Sequence, residues 1–268
     1  MHEPLSVQVA VLQFNISGHT TTGMLLRFWY RLIAVLYIAF IFLTSAVFFL
    51  VAALIWLFTY PVDRRLSLLH QFTCFWASLY IWIFPPWSVS VEGRDRFMDN
   101  ETYVIVSNHQ SLVDILVAFT LFKHFKWVSK AELFHIPLIG WNMSLNRYVK
   151  LRRGHASSIK QMYQACEQHL NEGSSIYLFP EGTRSETGQM RAFKEGAFVL
   201  AKRLHKPILP LVINGSRNAV PKNSFNFHGN THVEVAVLDP IFPESFADET
   251  PRELADRVHT LIRNQVRS

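Results

Sequence analysis

The stretch Tyr103-Val-Ile-Val-Ser-Asn-His-Gln-Ser-Leu-Val-Asp114 opens on an apolar run, turns polar from Ser107 to Ser111 and then becomes apolar again. A short apolar run ending in a polar turn reads as a buried strand, and the residues beyond it have the pattern of a helix starting near Leu112. Ser175-Ile-Tyr-Leu-Phe179 repeats the theme, breaking at Pro180-Glu-Gly-Thr-Arg184, where Gly182 opens backbone angles closed to other residues. Working outward, strands are expected at Ser88–Val91, Tyr103–Ser107, Trp127–Ser129, Tyr148–Leu151, Ser175–Phe179, Ile208–Ile213 and His232–Leu238. Helices are expected at Leu112–Phe122, Ala156–Asn171 and Phe193–Leu204. This alternation defines an α/β domain over residues 87–268, with a mixed sheet wrapped by helices. A last helix is signalled by Thr250 as N-cap, Pro251 in first position and Glu253 closing a capping box, with Leu254, Val258, Leu261 and Ile262 on one face.

The first third of the chain has a different texture. From Leu32 to Phe58 no charged residue occurs, and about 20 apolar residues suffice for a helix to cross the hydrocarbon of a bilayer. Arg27, Arg31, Arg64 and Arg65 flank the run, and Trp29, Tyr30, Trp56 and Tyr60 stand near its ends, where interfacial anchors belong. A second apolar stretch, Leu66 to Pro86, carries His70 and Gln71 and is compatible with spanning or with lying in the interface. The expected organisation is therefore a tail over 1–23, a helical membrane-anchoring segment over 24–86 and a catalytic domain beyond Pro85-Pro86. Half of the 268 residues are hydrophobic and only 17% are charged, which suits a chain with part of its surface in lipid. The net charge of +6 suits an anionic partner. No nucleic-acid recognition module accompanies the basic residues, so the anion is expected to be lipid or a phosphorylated substrate. Cys74 and Cys166 stand far apart, giving neither a disulfide framework nor a zinc site.

His109 and Asp114 would lie about 140° apart on a regular helix. With His109 placed before the helix and Asp114 in its first turns, the chain reversal instead brings the carboxylate to one ring nitrogen and leaves the other facing outward. That is a general base with an orienting partner, suited to taking the proton of an attacking hydroxyl. The Glu181-Gly182-Thr183-Arg184 turn presents polar groups where a strand stops, and Arg184 offers a forked donor set that matches a phosphate.

Asn108-His109-Gln-Ser-Leu-Val-Asp114, Phe179-Pro-Glu-Gly-Thr-Arg184, Phe193-Lys-Glu-Gly-Ala-Phe-Val-Leu-Ala201 and Pro207-Ile-Leu-Pro210 together resemble the ordered motif blocks of the glycerolipid acyltransferase family, particularly its 1-acylglycerol-3-phosphate acyltransferases. The resemblance implies that His109 of the His-x4-Asp motif is the general base and Asp114 its partner. It implies that Glu181, Gly182, Thr183 and Arg184 shape the acceptor site, with Arg184 on the phosphate, and that Pro210 lies in an apolar strand bordering the acyl site. In the remaining block Arg153 stands at the family's arginine, while Arg147 replaces a usual Gly and Arg152 a frequent acid.

What the resemblance implies is acyl transfer from acyl-CoA or an acyl carrier protein to the sn-2 hydroxyl of lysophosphatidic acid, at a membrane and on its cytosolic face, the inner membrane in a bacterium. The hydroxyl attacks the thioester directly and thiolate leaves readily, so no cofactor or metal is expected. The Asn108 amide and the turn amides are candidates for supporting the oxyanion. Lys123, Lys126, Lys130 and Lys160 could together attract an acidic carrier protein, although solvated lysines are the commoner meaning of such a pattern. Other acceptors, transacylation from a phospholipid and non-catalytic lipid binding are the alternatives; a hydrolase is disfavoured by the lack of a Gly-x-Ser-x-Gly elbow.

Overall fold

Strands form at all seven expected places in a computed structural model that describes residues 21–83, 87–185, 189–219 and 231–267. Most of the expected tail and the Pro85-Pro86 break lie outside the described residues. The strands β1 (Trp87–Glu92), β2 (Val104–Ser107), β3 (Phe125–Lys130), β4 (Val149–Leu151), β5 (Ser175–Leu178), β6 (Ile208–Asn214) and β7 (Thr231–Val237) make one sheet in the order β1-β7-β6-β2-β5-β3-β4. From β6 to β4 every pairing is parallel, β7 runs antiparallel to β6, and β1 is parallel to β7, so the sheet is mixed as expected.

The central strand β2 is buried at every position, and its side chains divide two cores. Ile105 joins Tyr177, Leu209 and Leu211 on one face, packed against helices α2 (Ser67–Trp82) and α3 (Val113–Phe119). Val104 and Val106 join Ile176, Ile208 and Val212 on the other, against α5 (Ala156–Asn171), α6 (Gly196–Arg203) and α7 (Pro251–Arg263). The period of two along a strand thus serves two layers of helices, which is why the strand reads as unbroken apolar sequence. The capping box of α7 is present, with Glu253 N–H donating to Thr250 Oγ1 and Thr250 N–H to the Glu253 carboxylate. Leu254, Val258 and Ile262 of this helix are buried, whereas Leu261 turns outward.

Some boundaries differ for local reasons. Helix α6 starts at Gly196 rather than Phe193, because Phe193 is drawn into the core and the Lys194 N–H is taken by the Pro180 carbonyl. Helix α3 stops at Phe119, and Phe122 adopts a left-handed φ of 51° soon after it. A short helix, α4 (Ile139–Leu145), was not signalled by the sequence.

Helix α1 (Thr21–Thr59) contains Val35–Thr59, which is long and apolar enough to cross a membrane by length and composition. Leu43, Leu50, Leu57 and Phe58 are among its exposed side chains. The second apolar stretch is different: α2 buries Leu69, Cys74, Trp76, Ala77 and Ile81 and contributes directly to the core beneath the sheet. Tyr80 ties the two helices together, its hydroxyl meeting Ser45 Oγ at 2.9 Å and Thr44 Oγ1 at 3.0 Å.

Where α1 passes into α2, buried polar groups lock the connection to the sheet. Lys126 of β3 donates to the carbonyls of Arg65 (2.7 Å) and Asn146 (2.9 Å). His70 Nε2 donates to the Lys123 carbonyl at 3.0 Å, so its Nδ1 accepts from the Tyr148 hydroxyl at 2.9 Å. Burial, with Arg147 adding repulsion, pulls the Lys126 ammonium down to about 7. An unfolded chain with its lysine near 10.5 binds more protons than the folded one between those values, so folding stability rises with pH across that window. Lys126→Met is expected to flatten this dependence in denaturant melts collected from pH 6 to pH 10; an unchanged slope would place the titrating group elsewhere.

Candidate active site

Strands β2 and β5 lie side by side and parallel, with Val104, Ile105 and Val106 opposite Ile176, Tyr177 and Leu178. The chain therefore leaves both at the same rim of the sheet, the rim where open α/β sheets bind ligands. Just beyond β2, buried Asn108 donates its side-chain amide to the Ile213 carbonyl and accepts the Ile213 N–H, both at 2.8 Å. This side chain clamps the loop to β6, and Asn108 is not among the residues that line the cleft in front of His109.

The next residue is His109. Its Nδ1 lies 2.9 Å from Asp114 Oδ2, an oxygen that also accepts the N–H groups of Gln110 (2.6 Å) and Ser111 (2.8 Å). Asp114 sits in the first turn of α3 and is fully buried. The reversal through Gln110 and Ser111 achieves what a regular helix could not. Since an ionised carboxylate only accepts, Nδ1 carries the proton and Nε2 is left with a lone pair. The Phe179 ring lies flat on the imidazole, centroids 3.9 Å apart and planes 12° apart, and Trp127 stacks behind Phe179 at 5.4 Å. Three adjacent strands thus each send one ring into a stack that fixes the plane of the histidine.

Glu181, in the turn after β5, is only 3% exposed. Its Oε1 accepts the His109 N–H at 2.7 Å and its Oε2 the Arg191 N–H at 2.9 Å. Burial pushes this carboxyl up to about 7, against the two amides that favour its ionised form. Glu181 therefore joins the loops from behind. Gly182 has φ of +73°, the left-handed conformation that favours glycine.

A cleft of about 320 Å³ opens in front of the imidazole, lined by His109, Trp127, Phe179, Pro180 and Gly182 at one part and by apolar Leu133, Leu151, Met162 and Leu200 elsewhere. Lys130, Arg153 and Lys194 are the cations on its wall among the described residues. The structure thus gathers His109, Asp114, Glu181, Gly182 and Arg153 at or around one cleft. Thr183 and Arg184 follow in the turn, half-buried, but are not among the lining residues. Pro210 is not brought to the cleft; it is buried inside β6, paired with Val106. Trp127, Phe179 and Lys194 also line the cleft, places the sequence reading did not foresee, although Phe179 and Lys194 fall inside the motif blocks.

Of the four lysines proposed as a docking face, Lys160 is exposed and Lys126 is not available to a partner. Lys126 is buried, Lys123 is held by Asp99 at 2.6 Å, and Lys130 lies 3.7 Å from Glu132. Among the described residues no three His, Cys, Asp or Glu side chains converge as metal ligands. Arg147, standing where the family usually has Gly, has φ of +55°, which explains the usual Gly.

Buried Asp114 holds His109 on the wall of a largely apolar cleft at the carboxyl rim of a mixed α/β sheet, an arrangement able to take a proton from an attacking hydroxyl. Residues 88–214 match the family model Acyltransferase. The chain is 36% identical over 182 residues to the chloroplastic 1-acyl-sn-glycerol-3-phosphate acyltransferase LPAT1 of Arabidopsis thaliana, covering 68% of this chain and 50% of that one. It is 32% identical over 179 residues to the alpha 1-acyl-sn-glycerol-3-phosphate acyltransferase of Mus musculus, covering 65% and 62%. The chain thus spans between half and two thirds of the length of these curated relatives. Its fold is that of the 1-acyl-sn-glycerophosphate acyltransferase PlsC from Thermotoga maritima, with a TM-score of 0.69 at 23% identity over 88% of this chain and 95% of that chain.

Glu181→Gln replaces an acceptor by an amide donor opposite a buried backbone N–H, which costs about 1–3 kcal/mol. Chemical denaturation should register that loss. Stability equal to that of the parent chain would mean that the carboxylate does not hold the two loops together.

Proposed function

We propose that this chain transfers a fatty acyl group from a thioester, acyl-CoA or acyl carrier protein, to the sn-2 hydroxyl of lysophosphatidic acid, forming phosphatidic acid. The observation that carries the reading is His109 held by Asp114 at 2.9 Å with its ring on the wall of an apolar cleft. His109 Nε2 takes the proton as the acceptor oxygen attacks the thioester carbonyl, while Asp114 stabilises the imidazolium. When the tetrahedral intermediate collapses, the carbon–sulfur bond breaks and the imidazolium returns its proton to the departing thiolate. The reaction ends with a new ester, a free thiol and neutral His109, so no acyl-enzyme or cofactor enters it. The apolar walls suit the acyl chain, and Arg153 at the cleft suits an anionic acceptor.

The same proposal places α1 in a bilayer, with the catalytic domain against its cytosolic face. Ile136, Ile139 and Trp141 are exposed beside α1, Trp141 meeting Phe49 with centroids 5.5 Å apart. An apolar surface continuous with a span-length helix is where lipid would lie.

The test is transfer of a labelled acyl group from acyl-CoA and, separately, acyl carrier protein to a panel of lysolipids and glycerol 3-phosphate. Phosphatidate should form, and His109→Ala should abolish it while lysolipid binding persists. Asp114→Asn should lower kcat by about 10²–10⁴-fold with a smaller change in KM. Absence of transfer from either thioester by folded protein would overturn the reading and favour a transacylase or a lipid-binding role.

A further inference from the structure

Lys194 is a residue for which the mechanism above has no use, and its backbone is held from two sides. Phe193 before it is 1% exposed and stacks with Phe198, and the Lys194 N–H donates to the Pro180 carbonyl at 3.0 Å. The backbone is thereby pinned between the core and the turn that carries Glu181. From there the side chain runs across Gly182: a Cβ added to that glycine would meet Lys194 Nζ at 2.9 Å and Cε at 3.0 Å. The missing Cβ of Gly182 is the space the lysine occupies. Its ammonium has no hydrogen-bond or ion-pair partner among the described residues, although it lines the same cleft as His109. Close by, Gly196 opens α6 and also lines the cleft, and the positive end of that helix adds to the field felt by an anion there.

Arg184, expected on the phosphate, lies outside the cleft lining, while Lys194 lies within it. We infer that Lys194 binds the phosphomonoester of the acceptor and sets the preference for a phosphorylated acceptor over a neutral one. The inference rests on the acyl-transfer reading. In the acceptor, the carbon bearing the attacked hydroxyl adjoins the carbon bearing the phosphate ester, so the phosphate lies close to the base, on the side where Lys194 crosses the Gly182 turn. The phosphates of a thioester donor are separated from the reacting carbonyl by the whole pantetheine arm. An ammonium makes a charge-assisted contact to a phosphate oxygen, a stronger interaction than a neutral hydrogen bond.

The experiment compares the parent chain with Lys194→Met and Lys194→Arg, measuring KM and kcat for lysophosphatidic acid and for acyl-CoA. Direct binding of lysophosphatidic acid and of its dephosphorylated monoacylglycerol is measured separately, without donor. Lys194→Met should raise the lysophosphatidic acid KM and Kd about ten- to a hundredfold and leave the acyl-CoA KM and monoacylglycerol binding unchanged. Lys194→Arg should recover part of the loss. The lysine is exposed, so folding should survive, and a thermal melt of each variant checks this. Unchanged lysophosphatidic acid binding, or a rise confined to the acyl-CoA KM, would overturn the inference. Because binding is read without turnover, a parent chain that transfers nothing would refute the reaction and still leave the phosphate contact to be judged by its own measurement.

Discussion

The site depends on one buried carboxylate oxygen. Asp114 Oδ2 accepts from His109 Nδ1 and from the main-chain N–H groups of Gln110 and Ser111. A fully buried charge is costly unless it is well supplied with donors, so the turn is drawn around the carboxylate and the imidazole is drawn in with it. The same bonds that make the aspartate tolerable set the tautomer of the histidine. Structure and chemistry share these hydrogen bonds, and a change that loosens one must disturb the other.

Around this centre the support is layered. Asn108 clamps the loop to β6, Glu181 joins it to the turn beyond β5, and Phe179 and Trp127 fix the ring plane from β5 and β3. The restraints come from different strands, so the position of His109 is set by the sheet as a whole. The two buried carboxylates differ in surroundings: Asp114 has a histidine among its donors, whereas Glu181 is served by backbone amides alone and is pushed upward by burial.

How much of this could be read in the sequence follows from how local each signal is. Buried strands announce themselves as apolar runs, and the polar turns at their ends expose the His109 and Glu181 loops. The capping box at Thr250 and Glu253 is similarly local. Features set by tertiary packing were not legible: α4 has seven residues and no capping signal, and the start of α6 depends on a carbonyl at Pro180 distant in sequence. Burial of Lys126 runs against the usual reading of lysine, and only the carbonyls of Arg65 and Asn146 account for it. Pro210 was assigned through resemblance alone and Arg184 also through its forked donor set, and neither lines the cleft. Arg147 is the reverse case, since the usual Gly at that place has its explanation in a left-handed φ.

Helix α2 has a consequence for how such a protein can be dissected. Cys74, Ala77 and Ile81 belong to the same core as Val113, Val117 and Ile105, His70 bonds the helix itself to the Lys123 carbonyl, and Lys126 fastens the connection ahead of it. The natural cut between α1 and the α/β core therefore falls before Ser67, within the loop after α1. A fragment beginning at the first strand would present a raw apolar face where α2 had been. The smallest fragment that keeps this core whole must carry one helix of what the sequence presents as its anchor.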